Sequence, residues 1–110
     1  MRQAGMLAAA GKIAITEGLA GLSNDHANAQ YLAEQLAGMN GVRVREGWTQ
    51  TNMVWLEFDV DCGEALSAAA KSAGVLLSAY GKSSRIVIHR DVDKVAIDKL
   101  VSVLAGFFNA

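Results

Sequence analysis

The chain reads as an α+β domain of two layers, a small and mostly antiparallel sheet covered by helices, with a long apolar helix at its amino terminus. Three features point there. Short stretches with a two-residue alternation come in hairpin-like pairs, residues 42–45 with 53–58 and 75–77 with 85–89. Stretches with apolar residues at helical spacing lie before, between and after those pairs. The opening stretch breaks the one-faced pattern, being apolar nearly all round. The order is α-α-β-β-α-β-β-α, strand pairs interleaved with helices.

Residues 3–21 form the first expected helix. Between residues 4 and 16 the only charge is Lys12. A helix this apolar is buried on more than one side, and Gly5, Gly11 and Gly18 leave spots where another backbone can approach closely. A two-layer domain covers only one side, so a further part of the polypeptide or another subunit is expected over the other. The run is shorter than the roughly 20 apolar residues that span a bilayer. Arg2 followed by Ala8-Ala9-Ala10 imitates a signal peptide only faintly, because the run is rich in alanine and glycine and continues into Ile13-Ala14-Ile15. No membrane association is expected.

A second helix is expected over residues 24–39, with Ser23 as its N-cap and Ala29, Leu32, Ala33 and Leu36 as its apolar stripe. Asn40-Gly41 supplies a left-handed stop. Val42 and Val44 alternate with Arg43 and Arg45 in a half-buried strand. Residues 47–50 connect it to a more apolar strand over 53–58. Asp61 and Glu64 stand at N-cap and N3 of a third helix, whose stripe is Leu66, Ala69, Ala70 and Ala73 and whose end is Gly74. A short strand at 75–77 and a loop at 79–83 lead to the strand at 85–89, which places Arg85, Val87 and His89 on one face. Asp93 caps the last helix, Val92 and Ile97 are spaced as a hydrophobic staple, and Ile97, Leu100, Val101, Leu104 and Phe108 form its core face.

With 110 residues there is room for one domain and one core. Ten basic residues against eleven acidic ones leave no broad electrostatic footprint for nucleic acid or an anionic membrane. The single cysteine, Cys62, forms no internal disulfide, fits a reducing cytoplasm and reads as a small packed hydrophobe. Catalytic motifs are scarce. Neither His26 nor His89 has a carboxylate at metal-ligand spacing, and one cysteine with two histidines does not build the usual zinc sets. Arg85 opens an apolar strand directly after a Gly-Lys-Ser-Ser loop, where its planar fork suits a carboxylate. On the residues alone, a strand-end arginine paired with an acidic side chain in water is the favoured reading, and His89 beside it reads as structural.

Several segments, taken in order, carry a resemblance. They are Met1-Arg2-Gln3-Ala4-Gly5-Met6-Leu7-Ala8-Ala9-Ala10-Gly11, then Asp25-His26-Ala27-Asn28-Ala29, Leu32-Ala33 and Leu36. Thr51-Asn52-Met53-Val54, Arg85-Ile86-Val87-Ile88-His89 and Asp91-Val92 complete the set. Over essentially the whole chain this resembles the low-specificity threonine aldolases, fold-type I pyridoxal-phosphate enzymes of the beta-eliminating lyase family. The resemblance implies a carboxy-terminal small domain that closes over a large, cofactor-holding domain, with residues 1–21 as the linking helix and 22–110 as the lid. The implied reaction is retro-aldol cleavage of threonine or allo-threonine to glycine and acetaldehyde, with pyridoxal phosphate as electron sink.

Residue by residue, Arg85 matches the arginine that grips the substrate α-carboxylate. Arg2 matches an arginine that lies near the cofactor phosphate and a subunit boundary. His89 matches a strand histidine and is given no role beyond packing. The chain departs from the family pattern at Ile88 and Arg90, where threonine and leucine are frequent, and in the long approach at residues 80–84. None of Lys12, Lys71, Lys82, Lys94 or Lys99 stands in a motif matching the Schiff-base lysine. The expectation is therefore a part that binds no pyridoxal phosphate and performs no turnover alone. Its expected partners are the missing large domain or another subunit of a homo-oligomer, with an amino acid as substrate. Two alternatives stay open: a stand-alone oligomerising module that kept the fold and lost the chemistry, and a small-ligand binder that uses Arg85 for an amino-acid carboxylate.

Overall fold

The computed structural model describes residues 2–47 and 49–109. Met1 of the opening motif and Trp48 of the connection between the first two strands lie outside the described residues. The two helices expected over residues 3–39 are one rod. α1 (Gly5–Ile13), a π-helical turn (Ala14–Gly18) and α2 (Leu19–Leu36) follow one another without a break. The 32 residues of Gly5–Leu36 rise about 48 Å at the usual 1.5 Å per residue, against a longest molecular dimension of 53 Å. Ser23 lies inside the helix and caps nothing. With no proline to interrupt the run, the amides after Ser23 keep carbonyl partners in the preceding turn, so the serine meets no orphan donor. Thr16 adds a bond of its own, donating its hydroxyl to the Lys12 carbonyl at 2.8 Å within the widened turn. By length and composition the whole rod is long and apolar enough to cross a membrane, which the shorter run at residues 4–16 is not.

The two halves of the rod live in different surroundings. Neither α1 nor the π turn contributes a buried residue, and the first buried position is Asp25, followed by Ala29, Leu32 and Leu36 of α2. From there the chain builds a four-stranded antiparallel sheet in the order β1-β2-β4-β3. Its strands are β1 (Val42–Val44), β2 (Met53–Phe58), β3 (Ala79–Tyr80) and β4 (Ser83–Val87). Val54, Leu56 and Phe58 alternate inward along β2, and Ser84 and Ile86 along β4. They join Leu32 and Leu36 of α2, Leu66 of α3 (Gly63–Ser72), and Ile97 and Leu104 of α4 (Lys94–Phe108) in a single core. Helices therefore cover one face of the sheet, the two-layer α+β arrangement expected from the pattern.

Four local expectations are corrected. The helix stop comes at Gly38, with φ +80°, two residues before Asn40-Gly41. No strand forms at 75–77. The Val75 amide donates to the Ala70 carbonyl at 2.8 Å and so closes the end of α3 next to Gly74, with φ +81°. The expected loop at 79–83 is instead a tight hairpin. Ala79 pairs with Ser84 and Tyr80 with Ser83 around Gly81, with φ +57°, and β4 consequently begins two residues early. Finally, Asp61 does not cap α3. Cys62 occupies the cap position, and the Cys62 and Gly63 amides donate to the Gly81 carbonyl at 3.2 and 2.8 Å. The hairpin turn satisfies the helix end, which leaves Asp61 no donor to receive. Asp93 caps α4 as expected, accepting the Ala96 amide at 2.9 Å.

This junction demands glycine at position 63. A Cβ there would lie 2.6 Å from backbone atoms of Tyr80 and 2.7 Å from the Gly81 nitrogen. We expect Gly63→Ala to cost about 2–4 kcal/mol in urea denaturation, because backbone on both sides must move. Gly21→Ala, which meets open space, should gain up to about 1 kcal/mol of helix propensity. Equal midpoints for Gly63→Ala and the parent chain would remove the close-approach argument. Burial, and secondarily the Asp61 charge, pushes the neighbouring Cys62 thiol up from its ordinary value. The folded chain holds the Cys62 proton more tightly than the unfolded one. The associated stability is thus present below the ordinary thiol value of about 8.5 and is lost as pH rises through the folded value. Iodoacetamide at pH 8 should modify folded Cys62 at least about tenfold more slowly than the urea-unfolded chain.

Candidate functional site

The face of the sheet away from the helices carries the candidate site. β2 and β4 are in a register that sets Trp55 directly opposite Arg85, and the alternation that buries Ile86 and Ile88 turns Arg85 outward. The Arg85 guanidinium carbon lies 5.8 Å from the centre of the Trp55 ring. From just past the end of β1, the Arg45 guanidinium carbon approaches the same ring to 5.6 Å, and the Arg45 amide donates to the Trp55 carbonyl at 2.9 Å. Arg45 also donates from Nε and Nη2 to Glu57 Oε1 at 2.9 and 2.7 Å, both partners being half-buried. Arg43 and Asp59 form a looser pair at 3.5 Å in open solvent, where such a contact contributes little. Among the described residues Arg85 is in no ion pair. The acidic neighbour that the residues alone suggested for it is absent among the described residues.

Arg2 is exposed and stands before the outer end of the rod. At 1.5 Å per residue the rod carries Gly5 about 30 Å beyond Asp25, the first residue it buries. The described residues do not bring Arg2 to Arg85. His89, expected to pack, is exposed. β4 ends at Val87, and the imidazole folds back on the following turn, where its Nδ1 accepts the Asp91 amide at 3.3 Å and lies 4.0 Å from Asp91 Oδ2. His26 is exposed on the rod.

One residue that pattern reading passed over is Asp25. It is 7% exposed, and its carboxylate has neither hydrogen bond nor ion pair among the described residues. It helps line a groove of about 490 Å³ between the rod and Asn52, His89 and Arg90. Its signal was present in the sequence: residues 25, 29, 32 and 36 share one helical stripe, so an acid stood on a core face. A wider groove of about 900 Å³ runs between the end of α2 and the edge strand β1, with Gln30, Glu34, Arg43 and Arg45 among its walls. The buried Thr49 hydroxyl beside it has no partner among the described residues.

All five lysines are exposed. Lys94 rests its ammonium 4.4 Å from the Tyr31 ring, and the Tyr31 hydroxyl donates to Asp98 Oδ1 at 2.6 Å, a bond that raises the phenol above its ordinary value. No lysine lines the groove beside Asp25 or the one beside β1. A Schiff-base lysine works from a closed, desolvated position, so these residues do not fit pyridoxal phosphate as a site of their own.

Comparison with known proteins identifies relatives of the chain. Low-specificity L-threonine aldolase 1 of Arabidopsis thaliana is 40% identical over 99 residues, which are 84% of this chain and 27% of that protein. The low specificity L-threonine aldolases of Escherichia coli strains K12 and O157:H7 are each 37% identical over 107 residues, 97% of this chain and 31% of theirs. The chain thus spans less than a third of the length of these relatives. Residues 1–59, which carry the rod, β1 and β2, match the family profile described as Beta-eliminating lyase. The chain belongs to the beta-eliminating lyase family.

Proposed function

We propose that the chain is the carboxy-terminal domain of a pyridoxal-phosphate-dependent threonine aldolase, that it offers Arg85 to the α-carboxylate of the substrate, and that it does not turn over alone. The observation that carries this reading is the half-built rod. Met6, Leu7, Ile15 and Leu19 are 88%, 65%, 67% and 57% exposed, on a helix whose other half is fixed in the core. A large domain laid along that half would cover it. The same partner would supply the lysine and the phosphate cradle that this chain's residues do not make. When bound there, the cofactor would act as electron sink for cleavage of threonine or allo-threonine to glycine and acetaldehyde.

In this arrangement Arg85 orients the substrate through a bidentate grip on its carboxylate. Arg2, at the far end of the rod, would reach a cofactor phosphate across a subunit boundary in a homo-oligomer. A cytoplasmic setting suits the single free thiol of Cys62. The exposed rod also favours one other reading, a module that pairs with itself and has lost the chemistry.

The two readings separate in a reconstitution. The chain is produced together with a polypeptide supplying the remaining amino-terminal part of one of its aldolase relatives. We expect a co-purifying complex with cofactor absorbance and glycine release from threonine, and a loss of about 10²-fold in kcat/KM for Arg85→Ala. A chain that ignores that polypeptide, self-associates in sedimentation and gives neither absorbance nor glycine is the self-pairing module.

A further inference from the structure

Resting on the assignment of Arg85 to the substrate carboxylate, we propose that Trp55 is a positioning residue that holds the Arg85 guanidinium by its face and leaves its edge free for the carboxylate. The two residues are direct cross-strand partners on the outer face of the sheet, within reach of side-chain interaction. With the guanidinium carbon 5.8 Å from the ring centre, the contact falls within cation–π range. A guanidinium that meets the ring by its π face keeps free the N–H donors in its plane, and those are the groups that receive a carboxylate. The two uses do not compete.

Arg45 supplies the comparison within the same molecule. It stands 5.6 Å from the same ring and simultaneously donates Nε and Nη2 to Glu57 Oε1 at 2.9 and 2.7 Å. One indole therefore serves a guanidinium that is already holding a carboxylate. Arg85 occupies the equivalent distance on the side of β4, and no acid among the described residues pairs with it. Glu57 offsets the charge of Arg45, so the group of Glu57, Arg45 and Arg85 keeps one positive charge, suited to one incoming carboxylate. A long, exposed arginine must otherwise give up its rotamer freedom when the ligand arrives, and the ring meets part of that ordering in advance.

The test is made on the chain itself, following the arginine Nε–Hε signals by ¹H–¹⁵N NMR with glycine as the titrated carboxylate. The wild-type Arg85 signal should lie upfield through the Trp55 ring current and move on adding glycine. Trp55→Leu should abolish the upfield shift and weaken apparent glycine binding by about tenfold, while Trp55→Phe should keep it within about threefold of wild type. Amide signals of Ile86 and Ile88 report whether each variant keeps the sheet. If wild-type Arg85 answers glycine and folded Trp55→Leu answers it equally well, the positioning role is overturned and the carboxylate role survives. If Arg85 answers in neither protein, the carboxylate assignment itself fails and the proposal falls with it. A wild-type Arg85 signal without ring-current shift overturns the positioning role whatever the variants do.

Discussion

A helix that is apolar on more than one side has to be covered on more than one side, and in this chain a single rod meets that requirement only halfway. From Asp25 onward α2 gives Ala29, Leu32 and Leu36 to the core. Before Asp25 the same rod carries Met6, Leu7, Ile13, Ile15, Leu19 and Leu22 into solvent. Fully burying a side chain of this size contributes on the order of 1.5–3 kcal/mol. Most helical stability in proteins comes from packing of a helix face, which this half lacks, and the glycines at 5, 11, 18 and 21 weaken it further. The exposed half is therefore a surface with a large reserve of association free energy.

What the rod fixes at its inner end decides what the sheet shows at its outer face. The α2 stripe packs on β1 and β2, and α3 and α4 complete the cover. That leaves Arg45, Trp55, Glu57 and Arg85 on the uncovered side. The register of β2 against β4 is held by Val54 opposite Ile86, both buried. A slip of one residue would drive Arg85 into the core and expose Ile86 and Ile88. The placement of the arginine is thus a consequence of its apolar neighbours, and its orientation is a consequence of the ring across the strand.

The patterns that rest on neighbours in sequence were legible. The alternation of β2, the stripe of α4 and the Asp93 cap all come from local periodicity and side-chain chemistry, and they stand as expected. Features that depend on a distant partner were not. The Gly81 carbonyl caps α3, so the acidic signal at Asp61 pointed one residue away from the cap. The apolar triplet at 75–77 looked like a strand, yet its first amide is spent on the end of a helix, and the pairing falls to Ala79 and Tyr80. Ser23 promised a boundary because capping residues also occur inside helices that have no reason to stop. At the site, Arg85 could be singled out from its place in an apolar strand. Trp55 could not, since it is thirty positions away and meets Arg85 only through the pairing of β2 with β4.

Residue-resolved hydrogen exchange measures the claim that another polypeptide completes the rod. In the chain alone, amides of residues 5–24 should exchange far faster than those of residues 29–36, although both belong to one helix. In a full-length aldolase carrying this domain, the two sets should exchange at comparable, slow rates. Equal and strong protection of both sets in the lone chain would contradict the account, because the rod would then need no cover.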